Sequence, residues 1–223
     1  MTSHRKTATI VGILFIIATV VLIVSGFFSE SITTPEYLTS VAANENSVIT
    51  GALLEIISAA AVIGIPIALF PILKKYNEGL ALGYVGARFF EGLFLVISTV
   101  ILLLLVSLSQ EFVNGATASA ASLQTAGTLL LSAREWCSIL LDFPFTIGAL
   151  ILNYIFYRSA LVPRWLSIWG IIGAALWLAI ALLHLFGFNP PMIEILALPI
   201  AAQEMALAVW LIVKGFNQTV MKS

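Results

Sequence analysis

Only one cysteine, Cys137, and two histidines, His4 and His184, occur in the chain, and charged residues make up just 9% of it. A single thiol excludes an internal disulfide framework and any site built from several cysteines. Ten Lys and Arg against eleven Asp and Glu leave a formal charge of -1, so no basic patch is present to attract nucleic acid. No phosphate-binding loop, nucleophile elbow, His-Glu-x-x-His helix or pair of haem-ligating histidines occurs, which disfavours ATP hydrolysis, serine hydrolysis, zinc proteolysis and bis-His electron transfer. The apolar runs contain no lysine deep enough for a Schiff base. No repeat pairs the first half with the second, so the inverted-repeat signature of many transporters is missing. The sequence implies no metal and no cofactor, and it favours a non-enzymatic role.

What the chain has in abundance is apolar surface: 61% of its 223 residues are hydrophobic, and the mean hydropathy is +1.09. Soluble domains carry about 45–50% apolar residues and about 25% charged ones, so the solvent of this chain is the lipid bilayer. A helix crosses the hydrocarbon with about 20 apolar residues, and six runs qualify: 8–28, 48–73, 80–108, 136–157, 165–186 and 193–213. The expected fold is therefore all-α, a polytopic bundle of six transmembrane helices forming a single domain over 1–223. The first run follows His4, Arg5 and Lys6 like a signal peptide, but it is too long for that role and no Ala-x-Ala site closes it. A retained helix is expected.

Orientation follows from the cations, because Lys and Arg stay on the cytoplasmic side. Arg5 and Lys6 precede the first run; Lys74 and Lys75 lie between the second and third. Arg158 and Arg164 lie between the fourth and fifth, and Lys214 and Lys222 follow the sixth. The alternate loops, Ser29–Ser47, Ser109–Ala118 and Gly187–Met192, contain no Lys or Arg. Both termini are then cytoplasmic, in a multi-pass membrane protein. Thr34-Pro35-Glu36 reads as a helix start, with Thr as N-cap and Pro in the first turn, which predicts a short outer helix over 35–43. The stretch from Ala118 to Tyr157 is helix-friendly throughout and would be about 60 Å long. That predicts an outer extension over 119–132, lying along or above the surface, with a kink at Pro144. Trp165, Trp169 and Trp177 read as belt and packing residues.

The stretch Ala81-Leu82-Gly83-Tyr84-Val85-Gly86-Ala87-Arg88-Phe89-Phe90-Glu91-Gly92 resembles a segment of a bacterial and archaeal membrane family catalogued as domain of unknown function 4386. Ile65 to Pro71 and Leu161-Val162-Pro163-Arg164-Trp165-Leu166-Ser167-Ile168-Trp169-Gly170 resemble its pattern too, as do the Glu204 segment and the Lys214-Gly215-Phe216 ending. The resemblance implies a multi-pass protein of a prokaryotic cell membrane over nearly the whole chain and supplies no catalytic residues.

Ionisable side chains at membrane depth cost about +2.5–3.5 kcal/mol each on insertion scales, so each needs a reason. Arg134, Glu135, His184 and Glu194 fall near the outer boundary, where water reaches them. Glu55, Arg88, Glu91, Asp142 and Glu204 lie deeper. Tyr84, Arg88, Glu91, Leu95 and Ser98 share one helical face, and Arg88 and Glu91, three residues apart, can pair. Glu135, Ser138, Asp142, Thr146 and Asn153 fall within about 80° of one another at 100° per residue. Gly51, Glu55, Ser58 and Val62 form a third stripe. Glu204 sits among Ala197, Ala201 and Ala208, where small residues let helices approach.

Four deep carboxylates then face one deep arginine, a net charge of about −3 if all ionise in low dielectric. Either some carboxyls are protonated, or water or a cation reaches them. For Arg88–Glu91 the alternative is a brace that fixes helix packing. For Glu55 it is a water-filled outer vestibule, and for His184 an interfacial, hydrogen-bonded ring. The candidate ligand-binding or ion-pair residues are Arg88, Glu91, Asp142, Glu204 and Glu55, with Tyr84, His184, Glu135 and Asn153 secondary. The leading expectation is binding of a small solute, proton or cation in transport or sensing. Two alternatives stay open: an intramembrane enzyme acting on a lipid or quinone, and an accessory subunit whose stripes meet a membrane-protein partner or a second copy.

Overall fold

A computed structural model describes residues 3–115 and 119–221. They form α1 (Ser3–Phe28), α2 (Tyr37–Ala43), α3 (Glu45–Leu73), α4 (Glu78–Val113), α5 (Ala120–Ser159), α6 (Arg164–Leu185), α7 (Leu198–Val213) and α8 (Gln218–Met221), with 3-10 turns at Glu30–Thr33 and Ile193–Ala197. No strand occurs among the described residues. Six helices, α1 and α3 to α7 with the 3-10 residues leading into α7, are long and apolar enough to cross a membrane.

Those six are arranged as a closed ring in chain order: α1 packs on α3, α3 on α4, α4 on α5, α5 on α6, α6 on α7, and α7 back on α1. Closure at α7 depends on glycine. A Cβ at Gly12 of α1 would lie 2.6 Å from the Ala208 carbonyl oxygen, and one at Gly173 of α6 would lie 2.9 Å from the Ile200 nitrogen. Backbones approach this closely only where no side chain intervenes.

One end of the ring is basic. Arg5 donates to the Leu211 and Val213 carbonyls at 3.1 and 3.0 Å, capping the negative end of α7 with a cation. The Asn217 amide donates to the Leu161 carbonyl at 2.9 Å, which draws the chain after α7 to the α5–α6 turn. Lys74 and Lys75 follow α3 in a turn whose Tyr76 shares a crevice with Arg158. At the opposite end α2 lies across α4, and Tyr37 donates its hydroxyl to the Gln124 carbonyl of α5 at 3.1 Å. Among the described residues that end carries acids and no Lys or Arg: Glu45, for example, accepts from the Gln110 amide at 2.7 Å.

Local structure departs from sequence expectation in three places. Thr34 does not cap α2. Its hydroxyl donates back to the Ser31 carbonyl at 3.0 Å, completing the preceding 3-10 turn, and α2 starts at Tyr37 with Glu36 as its N-cap residue. Short hydroxyl side chains compete for local carbonyls in this way. The predicted extension over 119–132 is the first third of α5, which runs unbroken to Ser159 through Pro144 and is capped by Ser119, whose hydroxyl accepts from the Ser122 amide at 3.2 Å. The first half of the loop expected over Ser109–Ala118 is helix: Ser109 is buried inside α4, which continues to Val113. Ala118 and Lys222 lie outside the described residues, as does the side chain of Glu194.

Candidate functional site

Midway through the bundle α4 supplies Arg88 and Glu91. Arg88 is ten residues into the helix, so it sits about 15 Å from the basic end. Arg88 Nη1 donates to both Glu91 carboxylate oxygens at 3.0 and 2.9 Å, and Nη2 donates to Glu204 Oε1 of α7 at 2.9 Å. The arginine is 2% exposed and Glu91 6%. The guanidinium carbon also lies 5.7, 5.8 and 5.3 Å from the ring centroids of Phe15, Tyr84 and Phe145. Three rings and two carboxylates thus replace the water that the cation gave up. The i,i+3 pairing of Arg88 with Glu91 was readable from spacing, whereas the bridge to Glu204 joins helices far apart in sequence.

Beside this triad is a cavity of about 260 Å³ to which every helix of the ring contributes: α1 through Thr19 and Leu22, α3 through Ser58, α4 through Arg88 and Glu91, α5 through Asp142 and Phe145, α6 through Trp177, and α7 through Ile200 and Glu204. Ser58 is internally satisfied, donating to the Ala18 carbonyl at 2.7 Å. Asp142 has no ion-pair partner among the described residues. Its neighbours on α6 are Trp177 and, two turns on, His184. The buried Arg88 Nε has no acceptor, while Trp177 Nε1 is directed at the Asp142 carboxylate and the fully buried Tyr84 hydroxyl lies against the Arg88 guanidinium, neither in full hydrogen-bond geometry. Leu22 and Ile23 line the cavity while standing 38% and 61% exposed, so it opens on the flank of the bundle beside α1.

Glu55 belongs to a different cluster. It is 3% exposed and pairs with Arg134 of α5: Nη2 donates to Glu55 Oε1, and Nη1 to Oε2 at 3.3 Å, to the Ser98 carbonyl at 2.7 Å and to Ser98 Oγ at 3.1 Å. Thr99 donates its hydroxyl to the same carboxylate at 2.7 Å. Two sequence expectations change here. Arg134 is not left to water: its long side chain reaches into the ring and is only 17% exposed where it pairs with Glu55. Glu55 needs no vestibule, because Arg134 neutralises it. The deep carboxylates therefore face two arginines, not one, and the uncompensated charge concentrates on Asp142 and on the two acids that share Arg88.

The model of the family described as domain of unknown function (DUF4386) matches residues 10–215. The chain belongs to this family. No curated protein matches it, and no solved structure does. The matched stretch contains every side chain of both clusters, and six apolar helices together with the family fit an integral membrane protein. The family description names no activity, so no residue role comes with it.

Three further candidates do not line the cavity of this family member. Glu135 is exposed, although it shares a helical stripe with Asp142. His184 is half-buried in the last turn of α6. Asn153, 2% exposed, donates to the Ala149 carbonyl at 2.9 Å and accepts from Gln203 Nε2 of α7 at 3.1 Å, while Gln203 also donates to the Leu166 carbonyl at 3.2 Å. Gly170 of α6 packs flat on that amide, since a Cβ there would lie 2.3 Å from the Asn153 side chain. Gln203 was missed in the sequence because an uncharged amide within an apolar run carries no charge-burial signal. The amides tie α5, α6 and α7 together toward the basic end, away from the carboxylates.

The central cavity thus pairs an apolar wall with three carboxyl groups and a guanidinium already engaged by two of them. Such an arrangement can hold positive charge. It is poorly suited to a hard metal ion, which takes several oxygen ligands at once: no group of three or more His, Cys, Asp or Glu close enough to hold a metal occurs among the described residues.

Proposed function

We propose that the protein binds a small positively charged solute within its helical ring, in transport or in sensing. The observation that carries this reading is the lining of the central cavity, where Glu91, Glu204 and Asp142 stand against Arg88 alone. An excess of carboxylates in low dielectric is costly unless a proton or a cation joins it. Its midbundle position supports a site reached from the membrane or from either side of it. The cation distribution supports a plasma-membrane protein with both termini cytoplasmic, since the basic end gathers Arg5, Lys74, Lys75, Arg158, Arg164 and Lys214.

The test is cation-driven flux in proteoliposomes, read with an internal pH dye and with membrane potential, across a panel of alkali, ammonium and organic ammonium chlorides. A flux or a saturable fluorescence response to at least one of them is expected in the wild type. That response is expected to fall at least ~10-fold in Asp142→Asn and in Glu204→Gln, as for loss of one charge pair in a desolvated site. No response to any cation, or a response unchanged in both variants, contradicts the proposal.

A further inference from the structure

The proposed function leaves open which cation the cavity takes. Its wall answers in three ways. First, the lining does not suit a naked inorganic ion: no group of three or more His, Cys, Asp or Glu close enough to hold a metal occurs among the described residues, Glu91 and Glu204 hold Arg88, and of the lining acids only Asp142 lacks an ion-pair partner. Six to eight oxygens are what Ca²⁺ demands, and Mg²⁺ requires near-octahedral geometry. Second, the space beside Asp142 is large for a bare ion and its surface is mainly hydrocarbon and aromatic, with Phe145 and Trp177 edge-on to one another at a centroid separation of 5.4 Å. Aromatic faces beside a carboxylate receive alkylated ammonium groups, whose charge is spread over methyl or methylene surface. Third, Arg88, 2% exposed, has at Nε an N–H without an acceptor, whereas the Trp177 N–H is directed at the Asp142 carboxylate. A buried donor left unmade costs about 1–3 kcal/mol, so the occupant should bring an acceptor oxygen as well as a charge.

We infer that the central cavity takes a monovalent organic cation, an alkylated ammonium group on a compact apolar body that also bears a hydrogen-bond-accepting oxygen. Its positive group meets Asp142, its body lies against Phe145, Trp177 and Ile200, and its oxygen accepts from the free Arg88 Nε–H. The flank opening at Leu22 and Ile23 lets such an amphiphile enter along the apolar surface of the bundle. This rests on the reading that the cavity binds a positively charged solute, and it narrows that reading to one chemical class.

Three shape-matched probes separate the contributions in calorimetric titrations of the purified full chain in detergent. Acetylcholine carries charge and acceptor, 3,3-dimethylbutyl acetate has the same outline without the charge, and hexyltrimethylammonium keeps the charge without the ester. Acetylcholine is expected to bind tightest, with the neutral ester weaker by about 10-fold or more and the ester-free cation weaker by several-fold. In Asp142→Asn the preference of acetylcholine over the neutral ester is expected to vanish while the neutral ester's own affinity stays unchanged, which a misfolded variant could not deliver. Ala201→Phe, which fills the cavity from α7, is expected to weaken all three probes.

Equal binding of the charged and neutral esters overturns the inference. So does a charge preference that survives in Asp142→Asn. Hexyltrimethylammonium binding as tightly as acetylcholine overturns the acceptor requirement. If none of the three probes binds while flux with ammonium or alkali ions persists in the proteoliposomes, this inference fails and the proposed function stands. If flux is absent as well, both fail.

Discussion

Replacing Arg88 with methionine is the perturbation with the largest consequence. The substitution keeps much of the side-chain length but leaves Glu91, 6% exposed, and its neighbour Glu204 with no cation. Removing one partner of a buried ion pair costs about 3–5 kcal/mol, because the other charge is left uncompensated. Loss of the contacts with Phe15, Tyr84 and Phe145 adds about 0.5–2 kcal/mol. The single variant should therefore lose about 3.5–7 kcal/mol of unfolding free energy. The triple variant Arg88→Met, Glu91→Gln, Glu204→Gln removes every charge together. Neutral replacements of a buried triad are often tolerated, so it should recover to within about 2 kcal/mol of the wild type. Reversible unfolding in mixed micelles, followed by tryptophan fluorescence and circular dichroism, reads both values. A single-variant loss below about 1 kcal/mol, or a triple variant no more stable than the single one, would refute the claim that charge compensation holds this part of the ring.

Other consequences follow from the same coordinates. Glu55→Gln and Arg134→Met should each destabilise by about 3 kcal/mol or more, and the double variant by clearly less than their sum, with a coupling of about 1–3 kcal/mol in a double-mutant cycle. Gly12→Ala and Gly173→Ala place a methyl group 2.6 Å and 2.9 Å from α7 backbone atoms, so each should cost about 1–3 kcal/mol in the same unfolding assay. Gly86→Ala meets nothing within 4 Å and should be neutral or stabilising by up to about 1 kcal/mol. In a Cys137→Ser background, a cysteine at Glu36 should react with an impermeant maleimide in intact cells and one at Lys75 should react only after lysis, if the basic end is cytoplasmic; the reverse pattern would invert the orientation.

The helices were legible because long apolar runs bounded by cations have few other solutions, and the interior faces because polar and small residues recur at helical spacing. Arg88 with Glu91 was legible for the same reason: their contact is local. Glu204 closing on Arg88, and Arg134 closing on Glu55, were not, because periodicity within a helix says which face is polar and nothing about which distant face it meets. Arg134 was further obscured by hydropathy, which begins the apolar run near Trp136 while the α-helix begins sixteen residues earlier, at Ala120. Thr34 illustrates a smaller ambiguity, since a hydroxyl that can cap a following helix can equally bond back to a preceding carbonyl, and here it does the latter. Charge arithmetic from the sequence identified a surplus of buried acids. Only the three-dimensional arrangement assigns that surplus to Asp142 and the Arg88 triad rather than to Glu55.

The central claim is that the cavity beside Asp142 accepts a positively charged solute. Its most direct test is the anomalous scattering of an iodine-labelled quaternary ammonium, 4-iodophenyltrimethylammonium, soaked into crystals of the full chain. The expected result is an iodine peak inside the ring between Phe145 and Trp177, present in the wild type and lost in Asp142→Asn. An empty cavity in the wild type, or an undiminished peak in the variant, would contradict it.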